Sequence, residues 1–213
     1  MSQSITRALA AWLAAGETRI GELMIIGQYE LRHHLDADDD ASTLTPHSNP
    51  GSARDIARYD AAGNYRPLKT APNLRRGWRL TLATIEQLHE ALDAFYPAVL
   101  ASRLAFQQGR LAITPLRDTL NRQSGMYAIT KRLTDSQASS LIASFCRTGG
   151  GCPGCLKTIL WPITPPEDRQ SPDWHPTPSP PSAFPLLCPE ACNLLIAQAR
   201  EFIKHPPSPS PAP

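Results

Sequence analysis

CRTGGGCPGC, residues 146–155, places three cysteines and four glycines in ten positions, and a second pair, CPEAC at 188–192, follows in the same chain. The full spacing is C-x5-C-x2-C-x32-C-x3-C, from Cys146, Cys152, Cys155, Cys188 and Cys192. A CxxC and a CxxxC unit separated by a long loop deliver two ligands from each of two backbone elements, an arrangement that encloses one tetrahedral sulfur set. Zinc and an iron–sulfur cluster both accept that set. On either reading the stretch divides the chain into a conventional core and a small metal-stapled lobe.

Local chemistry around the cysteines favours the cluster. Gly149, Gly150, Gly151 and Gly154 let backbone amides approach closely, as cluster sulfides need for hydrogen bonds that temper their negative charge. PEACNLLIAQAREFIKH, 189–205, reads as a helix with Pro189 in its first turn. Cys188 and Cys192 flank its start, and their i, i+4 separation predicts both thiolates on one face near the positive helix end. Leu156, Ile159, Leu160 and Trp161 follow the first cysteine group, and Leu186, Leu187, Leu194 and Leu195 surround the second. Such cover shields an oxidisable cluster, whereas structural zinc demands it less.

Composition sets the frame. The 213 residues, 41% hydrophobic, suffice for one core plus a small lobe. Lys and Arg total 21 against 19 acidic residues, a net charge of +2 that points to no nucleic-acid partner. No run of eighteen apolar residues spans a membrane. SITRALAAWLAAG has too short an apolar core for a signal peptide and reads instead as an amphipathic helix, with Ile5, Leu9, Trp12 and Leu13 inward and Gly16 as its stop. The expected location is the cytoplasm, where thiols stay reduced and clustered cysteines suggest metal rather than disulfides. Six of the 22 prolines precede residue 150 and sixteen follow it. That shift predicts an α+β domain over 1–145, a metal-binding lobe over 146–205 with a polyproline-like loop at 162–185, and a disordered Pro-rich tail over 206–213.

Within the first domain, GELMIIGQYELRHHL at 21–35 reads as strand and ARYDAAGNYRPL at 57–68 as a hairpin. TIEQLHEALDAFY, 84–96, opens with a capping box from Thr84 to Gln87 and carries Ile85, Leu88, Leu92 and Phe95 on one face. A second helix is expected over 97–109, ended by Gly109, and a third over 134–146, capped by Thr134 and Gln137 and delivering Cys146 to its last turn. The fold class expected is α+β, a small antiparallel sheet packed with helices.

Two charged stretches invite functional readings. HHLDADDD, 33–40, offers two histidines and four aspartates but no further ligand, and reads as a solvated acidic loop. NYRPLKTAPNLRRGWRL, 64–80, carries Arg66, Lys69, Arg75, Arg76 and Arg79, with no acidic residue between Asp60 and Glu86. Forked guanidinium contacts there suit an anion; the alternative is a basic surface strand whose arginines pair with the 36–40 loop.

ARYDAAGNYRPLKTAPNLRRGW at 57–78, RQSGMY at 122–127, CLKTILWP at 155–162 and CPEACNLLIAQARE at 188–201 together resemble the C-terminal region of bacterial CbiX-like, sirohydrochlorin chelatase-type fusion proteins. There a stabilising domain precedes a 4Fe-4S cluster-binding domain. The resemblance implies a [4Fe-4S] cluster held by Cys155, Cys188 and Cys192, with Cys152 or Cys146 as fourth ligand. It further implies an electron-transfer or accessory role beside a separate chelatase, tetrapyrrole enzyme or redox partner, rather than an enzyme by itself, since the chelatase-type segment is not found in this sequence. Zinc in a structural site, and an iron–sulfur enzyme acting on an anionic substrate, are the alternatives. Sirohydrochlorin-type tetrapyrroles bear many carboxylates, which the 64–79 arginines would dock.

Overall fold

Ser4 accepts the backbone N–H of Arg7 and so caps α1 (Ile5–Ala14) in the computed structural model, which describes residues 4–123, 125, 128–147, 156–163 and 182–205. Leu9 and Trp12 are buried along the inner face of this helix, which stops before Gly16 at φ +85°. The described residues fall into two compact units; the first comprises residues 4–111, with 156–158 and 182–187 added from far along the chain.

The sheet of the first unit forms from β1 (Arg19–Ile20), β2 (Leu23–Ile26), β3 (Glu30–His33), β4 (Thr45–His47), β5 (Trp78–Thr81) and β6 (Ala183–Phe184). Their spatial order is β4-β5-β3-β2-β1-β6. The three central pairings are antiparallel and the two outer ones, β4 with β5 and β1 with β6, are parallel. The expected strand at 21–35 is thus a hairpin folded at Gly27, whose φ of +57° admits the turn. In β2 the burial alternates, Leu23 and Ile25 inward, as the period of two requires.

Helices cover the sheet: α2 (Ser52–Arg58), α3 (Ile85–Phe95) and α4 (Val99–Gln107). Leu88, Leu92 and Phe95 of α3 are at most 1% exposed, and Thr84 accepts the Gln87 amide while the Gln87 side chain accepts from Ala83. Trp78 stacks on Phe95 with centroids 5.2 Å apart, and Trp12 meets Phe184 edge-on at 5.7 Å. Arg103 lies over both Trp12 and Phe184 and pairs with Glu17. The predicted hairpin at 57–68 is reduced: its first residues finish α2, and only single bridges, Tyr59 to Tyr65 and Asp60 to Leu74, remain. Asp60 accepts the Ala62 and Asn64 amides, which closes the turn locally without continuing a ladder.

The second unit contains α5 (Leu116–Arg122), α6 (Asp135–Ile142) and α7 (Asn193–Lys204). The units part at 111/112, so α5 and α6, which the proline distribution assigns to the first domain, stand with the cysteines. The capping box of Thr134 and Gln137 opens α6 as expected, but the helix ends at Ile142 and widens into a π turn over Ala143–Arg147. Leu116, Leu120, Leu141, Ile142, Phe145, Trp161, Leu195 and Ile196 form its core. The fold class is α+β.

Candidate metal centre

Cys146 sits in the π turn, 8% exposed, as part of the apolar core of the second unit, and half-buried Cys192 packs against the same core. Two of the five cysteines are therefore gathered by one hydrophobic cluster. Cys192 is the N-cap of α7: its backbone is extended, and its sulfur accepts the Leu195 amide at 3.5 Å. The helix starts at Asn193, four residues after the expected Pro189, so the i, i+4 helical face drawn through Cys188 and Cys192 does not form. One thiolate, rather than two, receives the amides at the positive end of the helix.

Cys188 instead lies in a short extended segment, its carbonyl accepting the Leu160 amide at 3.1 Å and its sulfur directed to the Glu190 carbonyl at 2.8 Å. Thr114 N–H donates to the Pro189 carbonyl at 3.1 Å, which fixes the turn between Cys188 and Cys192. The Leu160 bond sets the strand that follows CPGC against Cys188. Cys152 and Cys155 lie outside the described residues, as do the glycines of 149–151, the 164–181 part of the loop and the 206–213 tail. Among the described residues no three His, Cys, Asp or Glu side chains come together as a metal site.

One buried atom speaks for the group these cysteines would hold. Trp161 is 4% exposed, in the same core as Cys146, and its indole Nε1–H has no hydrogen-bond partner among the described residues. An unmet buried donor costs about 1–3 kcal/mol. A cluster sulfur is an acceptor suited to an apolar cavity, and the surrounding Phe145, Ile142 and Leu195 give the dry shell such a group needs. The donor set and its surroundings fit an iron–sulfur cluster.

The basic segment of the first unit folds quite differently from a common binding surface. Arg66 is 1% exposed and points inward, donating to the Asn73 side chain and to the carbonyls of Ala57, Lys69 and Ala71, with Glu22 at 3.5 Å. Burial lowers its pKa and the Glu22 carboxylate opposes the shift. Lys69 donates to the Ala57 carbonyl at 2.8 Å; burial, with Arg66 and Arg58 nearby, lowers its pKa. Arg76 pairs with Asp36 at 2.6 Å and Arg79 with Glu30 at 3.5 Å. Arg75 is half-buried, its Nε without a partner. Of the five, Arg66 and Lys69 are committed to the chain's own carbonyls, while Arg75, Arg76 and Arg79 stand further out.

Asp36 also corrects the reading of HHLDADDD as a solvated loop. It is 1% exposed, accepting both Arg76 and the Gly77 amide, and His33 is 3% exposed. Burial here is possible because each group has a partner: His33 Nδ1 accepts the Leu35 amide and Nε2 faces Glu22. Sequence reasoning missed Glu22. It receives the Leu74 amide on both oxygens, Arg66 and His33, while its own amide donates to Tyr96 Oη at 2.8 Å. A lone acid inside the apolar run IGELMII was the available signal. Gly21 beside it is required, since a Cβ would stand 2.6 Å from Tyr96 Oη and φ is +56°.

Residues 5–107 match the family described as the DR2241 stabilising domain, and residues 108–201 match the 4Fe-4S iron–sulfur cluster binding domain. The chain carries both domains, in that order. The matches meet within a few residues of the parting between the two units, although residues 156–158 and 182–187, inside the second match, belong to the sheet-bearing unit. Among solved structures, DR2241 from Deinococcus radiodurans is similar, with 31% identity and a TM-score of 0.71 over 93% of this chain. That protein is described as multi-domain, with structural similarity to chelatases and two additional novel domains, and this chain spans 42% of its length. No curated protein matches the chain. Among the described residues no helix is long and apolar enough to cross a membrane.

Proposed function

We propose that the chain is a [4Fe-4S] electron carrier or accessory protein serving a chelatase-type tetrapyrrole enzyme, with Cys155, Cys188, Cys192 and one of Cys146 and Cys152 as cluster ligands. The match of residues 108–201 to a 4Fe-4S cluster-binding domain carries this reading. When bound, the cluster supplies reversible one-electron transfer. The chain's own residues do the rest: α7 presents its amide end to the Cys192 sulfur, the core around Phe145 excludes water, and Trp161 offers a hydrogen-bond donor. The tetrapyrrole link is supported by the structural similarity of DR2241 to chelatases.

Anaerobic purification with iron and acid-labile sulfide analysis tests the cofactor, and a redox titration tests the role. Stoichiometric iron and sulfide with a reversible one-electron wave are expected. A colourless protein holding zinc and no sulfide would sink the cluster assignment, and a cluster with no accessible potential would reduce it to a staple.

A further inference from the structure

The stabilising unit holds an open cleft of about 540 Å³ that neither the cysteines nor the sheet accounts for. Its floor is polar. Arg19 enters it with Nε on the Gly21 carbonyl and, among the described residues, no carboxylate within ion-pair distance. His34 stacks on His33 at 4.8 Å, and burial together with the neighbouring Arg19, His33 and Arg76 lowers its pKa. The rim is apolar: Leu35 stands 57% exposed, beside Ala61, Ala62 and Pro72. A second cleft of similar volume shares Asp60, Ala61 and Arg76 with the first and adds Tyr59, 41% exposed, and Arg75. Two of the three large exposed apolar side chains among the described residues, and two guanidinium groups without a carboxylate partner, thus converge on one continuous surface. Acids at the cleft are already satisfied: Glu22 by Leu74, Arg66 and His33, and Asp60 by Ala62 and Asn64.

We propose that this paired cleft binds a small polycarboxylate built on an apolar frame, one carboxylate on Arg19, another toward Arg75, and the frame against Leu35 and Tyr59. Arg–carboxylate forks supply orientation, and the volume lies in the range of small-molecule pockets, roughly 300–1,000 Å³. The proposal deepens the tetrapyrrole link above, on which it rests only for the identity of the natural acid. No part of it requires the cluster.

Isothermal titration of the full chain with trimesate, a benzene ring bearing carboxylates, tests it, with citrate and benzamide as controls for charge without frame and frame without charge. Saturable trimesate binding is expected, with citrate weaker and benzamide silent. Arg19→Ala should weaken trimesate binding by about tenfold or more, from the loss of a charged hydrogen bond. Ala61→Trp, an exposed substitution that fills the rim and keeps every charge, should do the same in a protein of unchanged circular dichroism. Absence of saturable binding, or binding equal in both variants and the native chain, would overturn the proposal. Uroporphyrin in a parallel titration separates the two ideas: binding insensitive to both variants keeps the tetrapyrrole link and rejects this site. Trimesate binding that both variants lose, without uroporphyrin binding, keeps the site and rejects the link.

Discussion

Arg66 in the stabilising unit and Trp161 in the cluster-binding unit are both buried donors, 1% and 4% exposed, yet the chain treats them differently. Arg66 finds carbonyls, an amide oxygen and a carboxylate within its own unit. Trp161 finds nothing among the described residues. Buried polar groups are satisfied in native structures as a rule, so the interior around Arg66 reads as completed by protein alone, whereas the place of Trp161 in the second unit suits completion by a cofactor. The core tells the same story: leucines and aromatic rings fill the first, while Cys146 and Cys192 take core and core-edge positions in the second.

The largest expected effect falls on the cofactor side. Cys192→Ser should reduce bound iron and sulfide to background while leaving α7 intact, because serine is itself a favoured N-cap. Cys192→Ala should lose the cluster and also destabilise the helix by about 0.5–2 kcal/mol. Iron analysis and far-ultraviolet circular dichroism separate the two. Cys155→Ser and Cys188→Ser should behave like Cys192→Ser, and one of Cys146 and Cys152 should tolerate serine. Equal loss of helix in Cys192→Ser and Cys192→Ala would show that the sulfur does not cap α7.

On the protein-only side, Glu22→Ala leaves Arg66 buried without its carboxylate and should cost about 3–5 kcal/mol in denaturant unfolding. Phe184→Ala, at a position far beyond the first cysteines, should cost a similar ~3–5 kcal/mol and release β1 amides to hydrogen exchange. If protection were lost only around α7, the assignment of that strand to the first unit would be wrong. Thr84→Ala removes the α3 cap for about 1 kcal/mol, read as a shift in unfolding midpoint with unchanged slope.

The smallest effect is electrostatic. Burial alone would raise the Glu30 pKa, but hydrogen bonds from Arg32 and Thr81 and the charges of Arg32 and Arg79 hold it below the ordinary 4.5. A depressed carboxylate stabilises the fold above pH 4.5 and loses that contribution as pH falls through its folded-state value. Glu30→Gln should therefore flatten the acid limb of the stability profile and change little at pH 7.

Helices were the readable part of the sequence. The Thr84 cap and the Thr134–Gln137 box act within three residues and so can be placed without knowing the fold, although the Gln87 side chain takes the Ala83 amide instead of closing a box on Thr84. Strands β4 and β6 depend on partners remote in sequence and carry no alternation long enough to see. At the candidate site, cysteine spacing narrows the chemistry to zinc or an iron–sulfur cluster, and the residues around the cysteines together with the family resemblance favour the cluster. The start of α7 was misplaced because Pro189 suits a first turn, whereas the Cys192 sulfur provides the cap that decides the start. Arg66 looked like a surface cation because sequence cannot show that the Ala57, Lys69 and Ala71 carbonyls converge on it. Arg19 is unexceptional in the sequence until the fold lines it along one cleft with His34, which the HHLDADDD stretch brings to notice only as a possible metal ligand.

Strand β6 has a consequence for biosynthesis. Thr18 and Arg19 amides both donate to the Ser182 carbonyl, and Ala183 and Phe184 complete the sheet beside β1. Domains that emerge first from the ribosome usually fold first. Here the sheet of the first unit cannot close until residue 184 has been released, by which time Cys146, Cys152 and Cys155 are already outside. The nascent chain thus presents three of its five thiols before the sheet has its final edge, and the proposed ligand set is completed only when Cys188 and Cys192 follow that edge strand.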